Sequence, residues 1–250
     1  SKAEPAALAL AGTAAAQPSV APSPAAPLRI AIIGDSTVSE YPEARPDRGW
    51  GHFIEERFRP ATVKVSNLAV PGRSTKTFIR EGRWEKTLQE KPNYVLIQFG
   101  HNDSHVPENP ESTDAATDYK VYLRKYIDET RAAGATPILV TPMVRRTFDE
   151  SGKFNEASAG RNRPLGSYAA AAREVGQEKK VPVIDLYASS LELAAKLGPV
   201  ASAEFANKSG DNTHFNEKGA RAMAELVLRE LPRAAPALAE LLRPEGVPTR

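Results

Sequence analysis

A short stretch near the end of the chain, "GDNTHFNEKGARAMAEL" at residues 210–226, places an aspartate and a histidine three residues apart. In an Asp-x-x-His turn the carboxylate of Asp211 can reach Nδ1 of His214, which fixes the tautomer and leaves Nε2 free as a base. The same stretch is also typical of a helix start, because Asp, Asn and Thr are common caps. Asp211 and His214 can therefore be interpreted either as a catalytic acid–base pair or as part of a helix cap. A nucleophile elsewhere in the chain would favour the first interpretation.

A candidate nucleophile stands in "IIGDSTV", where Ser36 follows an apolar run that predicts a buried strand. We expect a helix to begin in this turn. A serine there presents its hydroxyl at the carboxyl edge of a sheet and its backbone N–H at a helix N-terminus, which suits both a nucleophile and an oxyanion donor. A plain helix cap is the alternative, since a motif this short is weak alone.

Two further turns offer oxyanion donors. In "NLAVPGRST" the backbone N–H of Gly72 can face a developing negative charge, although a simple Pro-Gly turn has the same sequence. In "QFGHND" the amide of Asn102 can donate to the same charge, and Asp103 is predicted to hold the loop. We interpret His101 and His105 as loop or surface histidines.

These residues need a scaffold, and the sequence predicts one of alternating strands and helices. Each predicted strand is a short, β-branched or aromatic run bounded by Gly, Pro, Asn or Asp. The predicted strands are residues 28–34, 61–70, 93–100, 136–143 and 181–186, and the predicted helices are 49–58, 117–134, 166–180, 187–198 and 216–231. The pattern indicates an α/β fold with a five-stranded parallel sheet covered on both faces.

In such a sheet the carboxyl ends of the strands meet at one edge, so the four motifs converge. Together they supply a nucleophile (Ser36), a base (His214) and an orienting acid (Asp211). Three oxyanion donors complete the set: Ser36 N–H, Gly72 N–H and the Asn102 amide. The combination favours a serine catalytic triad over four unrelated turns.

The chain resembles the SGNH, or GDSL-type, hydrolase superfamily through Ser36 in "GDST", Gly72 in "AVPGRS", Asn102 in "GHND" and His214 in "DNTH". Within it, the chain is most similar to the rhamnogalacturonan acetylesterase group over residues 28 to 231, although the connection at 155–166 is longer than usual. This resemblance implies a flavodoxin-like three-layer α/β/α sandwich. It also implies hydrolysis of acetyl esters on plant cell-wall polysaccharide without metal or cofactor.

Composition narrows the function classes further. The 250-residue chain has no cysteine, which excludes disulfides, thiolate metal sites and a cysteine nucleophile. Its net charge of +2 and its scattered basic residues do not indicate nucleic-acid binding, and no apolar run reaches membrane-spanning length. We predict a disordered Ala/Pro-rich tail or linker at 1–27, a hydrolase domain at 28–235 and a Pro-containing tail at 236–250.

The substrate prediction rests on arginines and on one long connection. Arg73, Arg145 and Arg146 stand in predicted loops near the crevice, where they can contact uronate carboxylates. Residues 145–166 fit no regular element, with a small hairpin between Phe148 and Phe154, and lid and plain insertion are both open. We predict a monomer that acts on acetylated polysaccharide or oligosaccharide. The N-terminal segment and the substrate together predict a secreted or periplasmic protein.

Other functions remain open at this stage. The same triad suits an acetylxylan esterase or another small-ester esterase. A flavin module of the same fold can cradle a phosphate at "GDSTVSE", and a polysaccharide-binding relative without catalysis is also conceivable. A metallophosphatase can draw on Asp35, Asp103 and Asp211, but the chain has no paired-His spacing such as H-x-H.

Overall fold

A five-stranded, all-parallel sheet in the order β2-β1-β3-β4-β5 forms the centre of the molecule. The computed structural model describes residues 2–7, 9, 11–18 and 25–244. The strands are β1 (Leu28–Gly34), β2 (Val63–Asn67), β3 (Tyr94–Gln98), β4 (Thr136–Val140) and β5 (Val183–Ile184). All five lie inside the segments predicted as strands, and the α/β fold with a parallel sheet is confirmed.

The sequence of β1 explains why both faces of the sheet are covered. Successive side chains of a strand point to opposite faces. Ile30 and Ile32 accordingly lie in one apolar core, and Ala31 and Ile33 lie in the other. Residues 30–33 carry no polar side chain, so this part of the strand needs helices on both sides.

Helices supply both layers. The α-helices are α1 (Thr75–Arg80), α2 (Arg83–Gln89), α3 (Asp118–Ala132), α4 (Leu165–Lys179), α5 (Leu186–Ala203), α6 (Glu217–Arg229), α7 (Leu231–Ala234) and α8 (Pro236–Ala239). Helices α3, α4 and α6 match their predictions closely, whereas α5 continues past Gly198, which bends it with a φ of 76°. Helices α1 and α2 were not predicted. Across the described ranges, no helix is both long and apolar enough to cross a membrane.

The helix predicted at 49–58 was wrong. Two short 3-10 turns, Trp50–Phe53 and Glu55–Arg57, stand in its place. Its first backbone N–H groups bond instead to the turn after β1: Gly49 to the Ser39 carbonyl (2.9 Å), Trp50 to Thr37 (3.0 Å) and Gly51 to Val38 (3.1 Å). We call these three bonds the 49–51 ladder. They also occupy the carbonyls that a helix after Ser36 would need, and that expected helix does not form.

The predicted C-terminal tail was wrong for residues 236–244. Leu238 of α8 is fully buried, and Leu241 and Leu242 pack against the same core. The packed domain therefore extends to the end of the described residues, and 245–250 lie outside them. Of residues 1–27, those that are described are exposed and form no helix or strand, and 1, 8, 10 and 19–24 lie outside the described residues. Disorder of that segment stays a prediction.

Replacing Leu238 should test whether the last short helices belong to the fold. Leu238→Ala leaves a cavity in the core and should lower the free energy of unfolding by about 2–5 kcal/mol, measured by urea denaturation. Val121→Ala is the matched control, because Val121 is 57% exposed and its loss should have little effect. Equal stability of Leu238→Ala and the parent would contradict a structural role for α8.

Candidate active site

The Asp–His turn forms the contact that its spacing predicts. His214 Nδ1 lies 3.1 Å from Asp211 Oδ2, and Asp211 Oδ1 accepts the backbone N–H groups of Thr213 and His214, both at 3.0 Å. Burial opposes ionisation of Asp211, but these hydrogen bonds and the His214 ring hold its pKa below the usual value. The cap of α6 is Asn216, whose side chain accepts from Gly219 N–H. Capping therefore does not explain Asp211.

Ser36 lies in an open turn after β1. Its residue is half-buried, and its carbonyl accepts the hydroxyl of Tyr41 at 2.8 Å. Its backbone N–H donates to no other described residue. Because the expected helix is absent, Ser36 has no helix N-terminus behind it, and a flavin phosphate would find no such cradle at this turn.

Gly72 and Asn102 come from neighbouring loops. Gly72 has a φ of 82°, which favours glycine, and its N–H likewise donates to no described residue. Asn102 Nδ2 donates to the carbonyl of Arg73 at 3.0 Å, which ties the two loops and leaves the second amide hydrogen unused. Three unused or partly used donors thus belong to the residues predicted for an oxyanion site.

The short segment 48–51 joins the turn of Ser36 to the turn of Asp211 and His214. The 49–51 ladder holds residues 37–39, which follow Ser36. Arg48, which precedes the ladder, donates its N–H to the carbonyl of Phe215 at 2.9 Å. Phe215 directly follows His214. Backbone hydrogen bonds therefore connect both turns to the same segment, residues 48–51.

A buried acid and histidine lie beneath these turns. Asp35 is fully buried, its Oδ1 accepts from Thr37, and its Oδ2 lies 3.6 Å from His101 Nδ1. Burial opposes ionisation, yet the contacts with His101 and Thr37 hold the pKa of Asp35 below its usual value. Burial lowers the pKa of His101. His101 is only 3% exposed, so its interpretation as a loop or surface histidine was wrong about the surface.

Asp103 holds the loop of Asn102, as predicted. Its carboxylate accepts from Thr75 N–H (3.1 Å), Thr75 Oγ1 (2.5 Å) and Thr113 Oγ1 (2.7 Å). Thr75 begins α1, so the contact also ties the Gly72 loop to the loop after β3. Burial raises the pKa of Asp103 to about 6 in spite of these hydrogen bonds.

The predicted substrate arginines lie in unexpected places. Arg73 is held by both oxygens of Glu81, at 2.9 and 2.8 Å, and by the Pro71 carbonyl. Arg145 and Arg146 are only 6% and 9% exposed. Both donate to backbone carbonyls, Arg145 to that of His101 and Arg146 to those of Asp211 and His214, and Arg146 also borders a cavity beside Asp211. Contact of these arginines with a substrate stays a prediction. The sequence placed these arginines in loops but could not reveal that the side chains of Arg145 and Arg146 are buried.

A cavity of about 250 Å³ adjoins Asp211. The predicted hairpin is present as an antiparallel bridge between Phe148 and Phe154, and a Cβ on Gly152 at its tip would lie 3.8 Å from Pro199 in the bend of α5. The lining residues are Arg146, Thr147, Phe148, Pro199, Ala203, Lys208, Gly210, Asp211 and Asn212. Whether residues 145–166 move as a lid stays a prediction.

Lys208 was missed by the sequence reasoning. Its side chain is exposed at this cavity and makes no hydrogen bond or ion pair with the described residues. It comes three residues before Asp211, a proximity that could have pointed to it. Lys208 is therefore a solvent-exposed cation at this cavity.

Metal ligands are not grouped in the part of the chain that is described. No three His, Asp or Glu side chains there approach one another as a metal site requires. Two further half-exposed histidines lie beside a single carboxylate each: His105 pairs with Glu111 at 2.7 Å on the loop after β3, and His52 lies 3.5 Å from Glu40.

Comparisons with known proteins bear on the family and the fold of the chain. The GDSL-like lipase/acylhydrolase family matches residues 32–222. Rhamnogalacturonan acetylesterase RhgT of Bacillus subtilis (strain 168) is 36% identical over 216 residues, which cover 80% of this chain and 88% of RhgT. The crystal structure of Bacillus subtilis YxiM superposes with a TM-score of 0.71 at 30% identity, over 85% of this chain and 58% of that chain. Acetylxylan esterase Axe2 of Geobacillus stearothermophilus (TM-score 0.65, 22% identity, 82% of this chain and 94% of Axe2) shares the fold.

The raised pKa of Asp103 should appear in the pH dependence of stability. The native carboxyl keeps its proton to about pH 6, whereas the unfolded one loses it near pH 4. The folded state therefore binds more protons in this window, and the free energy of unfolding should fall by about 2–3 kcal/mol as pH rises through it. Asp103→Asn keeps an acceptor for Thr75 and Thr113 but cannot ionise, so this loss should disappear.

Urea denaturation between these two pH values measures the effect. Glu150→Gln is the control, because Glu150 is exposed and has no partner among the described residues. An unchanged pH slope in Asp103→Asn would show that Asp103 titrates normally.

Proposed function

We propose that this chain, which belongs to the GDSL-like lipase/acylhydrolase family, is a serine esterase that removes O-acetyl groups from carbohydrate. The preferred substrate is acetylated pectic polysaccharide such as rhamnogalacturonan. The observation that carries the proposal is the 3.1 Å contact between His214 Nδ1 and Asp211 Oδ2, which leaves Nε2 free as a base. It lies on the turn that backbone hydrogen bonds hold beside Ser36.

The reaction follows from these positions. His214 Nε2 takes the hydroxyl proton of Ser36 as Oγ attacks the acetyl carbonyl carbon, and Asp211 stabilises the resulting imidazolium. Ser36 N–H, Gly72 N–H and the Asn102 amide donate to the tetrahedral oxyanion. The intermediate collapses when His214 returns the proton to the sugar oxygen, which leaves as the alcohol. Water, deprotonated by His214, then hydrolyses the acetyl-serine.

The unused backbone donors support this assignment. Ser36 N–H and Gly72 N–H have no acceptor among the described residues. Backbone donors that are already oriented need no reorganisation as charge develops on the carbonyl oxygen, which is the main source of oxyanion stabilisation. A purely structural turn would more often bond them internally.

The substrate part of the proposal draws on the relatives and on the cavity beside Asp211. RhgT is named a rhamnogalacturonan acetylesterase, and at 36% identity it is a closer match than Axe2 at 22%. Lys208 offers the cavity an unpaired cation for a uronate carboxylate. Neutral acetylated xylan is the competing substrate. A polysaccharide substrate implies a secreted or periplasmic enzyme, and we propose that it acts as a monomer.

Removing the nucleophile should abolish hydrolysis. Ser36→Ala and His214→Ala should each lower kcat on p-nitrophenyl acetate by at least roughly 10³-fold with unchanged melting temperature, and a serine-directed phosphonate should label Ser36. His105→Ala is the control, because His105 also pairs with a carboxylate but lies on another loop. Excess chelator should leave turnover unchanged. An active Ser36→Ala enzyme would refute the proposal.

Lys208 should favour substrates that carry a carboxylate. Lys208→Gln should lower kcat/KM for acetylated galacturonate-containing fragments by roughly two- to fivefold, the usual effect of one exposed ion pair. Activity on acetylated xylan and on p-nitrophenyl acetate should not change. Added salt should reduce the difference between the acidic and the neutral substrate in the parent enzyme.

Lys196→Gln is the matched control, since Lys196 is exposed on α5 away from the cavity and has no partner among the described residues. Equal activity on both polysaccharides, with no effect of salt, would contradict the pectic substrate but not the acetylesterase activity.

A further inference from the structure

Two consecutive arginines after β4 each bind the backbone of a different catalytic loop. We propose that Arg145 and Arg146 are positioning residues that hold the oxyanion loop and the acid–base turn in fixed relation to each other. The oxyanion loop is the segment 101–104, and the acid–base turn is 211–214. This inference rests on the proposed function, because it assigns roles around the same site.

Arg145 holds the oxyanion loop. Its Nη2 donates to the carbonyl of His101 (3.2 Å) and to Ser104 Oγ (2.9 Å), on either side of Asn102. No acidic side chain of the described residues forms an ion pair with it. Hydrogen bonds from a charged donor are stronger than neutral ones, so this guanidinium fixes the backbone that aims the Asn102 amide.

Arg146 holds the acid–base turn in the same way. Its backbone N–H donates to the carbonyl of Asn212 (2.8 Å), and its Nη2 donates to the carbonyls of Asp211 (3.4 Å) and His214 (2.5 Å). Its guanidinium carbon lies 4.4 Å from the centre of the Phe215 ring, which is buried in the core. Burial lowers the pKa of Arg146 to about 10, so it stays charged at neutral pH.

Both arginines lie on one short segment that directly follows a central strand of the sheet. The chain turns tightly between them and the hairpin, with Thr147 N–H donating to the Arg145 carbonyl at 2.9 Å. The segment follows β4, which pairs with β3 on one side and β5 on the other. A shift of one loop relative to the other must therefore strain this segment. Small misplacements of catalytic groups reduce turnover strongly.

Burial argues against a direct role in substrate binding. Arg145 Nη1 and Arg146 Nε and Nη1 are enclosed by protein, so solvent does not reach them. Arg146 borders the cavity beside Asp211, but its Nε and Nη1 do not lie on the exposed surface of that cavity. The donors that do make contacts are already bonded to backbone carbonyls and to Ser104.

The proposal predicts a defect in turnover rather than in binding. Arg145→Lys, Arg146→Lys and the two Met variants should each lower kcat on p-nitrophenyl acetate about tenfold or more, since hydrogen bonds to charged groups are lost, with KM nearly unchanged. Each Lys variant should be more active than the corresponding Met variant, because lysine keeps the positive charge. It should be less active than the parent, because it lacks the planar set of guanidinium donors. The double variant should lose less than the product of the single effects, because both act on one geometry.

The control and a second readout separate this role from simple destabilisation. Arg229→Met should change nothing, because Arg229 is exposed and has no side-chain partner among the described residues. In a Ser36→Ala background, NMR spectra of the histidine rings need no turnover. Arg146→Lys should shift the ring resonances of His214, whose carbonyl accepts from Arg146. Arg145→Lys should shift the ring resonances of His101 and leave those of His214 as they are.

Two outcomes would overturn the inference. Unchanged kcat on p-nitrophenyl acetate together with a raised KM on uronate substrates alone would make the arginines substrate ligands. Unchanged His101 and His214 spectra in well-folded Lys variants would show that neither loop depends on them. Absence of Ser36-dependent hydrolysis in the parent enzyme would refute the proposed function instead, and the NMR comparison would still decide the positioning role.

Discussion

The candidate site depends first on the backbone hydrogen bonds of the 49–51 ladder. These bonds occupy the carbonyls of residues 37–39, so the chain after β1 cannot continue into a helix. Ser36 consequently stays in an open turn with its N–H unused. Because Arg48 donates to the Phe215 carbonyl, the same segment also fixes the turn of His214. Glycine is required at both ends of the ladder, since a Cβ on Gly49 or Gly51 would meet the backbone of residues 38–39 or the Asn67 side chain at 2.7 Å or less.

Buried charges join the remaining loops to this core. Asp35 contacts His101, which precedes Asn102, and Asp103 contacts Thr75 at the start of α1. A buried carboxylate is costly unless hydrogen bonds satisfy it, so the bonds from Thr37 to Asp35 and from Thr75 and Thr113 to Asp103 resist movement of these loops. Arg145 and Arg146 donate hydrogen bonds to the loops of Asn102 and His214. The loops after β1, β2, β3 and β4 thus restrain one another through polar contacts, in addition to the apolar side chains that they bury in the two cores.

The sequence predicted those parts of the fold that short-range patterns determine. The run "LRIAIIG" is buried on both faces, and its prediction as a strand has the bounds observed for β1. Helices α3, α4 and α6 were predicted because each carries a long apolar stripe. The segment 49–58 carries a similar pattern but exchanges its own helical bonds for bonds to residues 37–39. No local pattern could reveal that exchange, because the partners are ten or more residues away.

The candidate site divides in the same way. Asp211 and His214 lie three residues apart, so the turn itself can bring them into contact. The spacing made this contact one of two interpretations, and the motifs after the strands decided between it and a helix cap. The position of an arginine depends instead on which carbonyls surround it, and these come from distant loops. Sequence reasoning therefore placed Arg145 and Arg146 at the substrate and overlooked Lys208. It likewise ended the domain at 235, because prolines suggested a tail where Leu238 fills the core.

The two halves of the proposed activity differ physically. The groups assigned to the reaction are fixed by backbone hydrogen bonds and buried charges, which tolerate little change in neighbouring residues. The cavity beside Asp211 is formed by the hairpin at 148–154, the bend of α5 and the exposed Lys208, whose side chain is bound to nothing else among the described residues. Substitutions there alter charge and shape without moving the acid–base turn. On the proposed function, ester chemistry can therefore stay constant on this scaffold while changes in the hairpin, the bend of α5 and Lys208 alter the preferred carbohydrate.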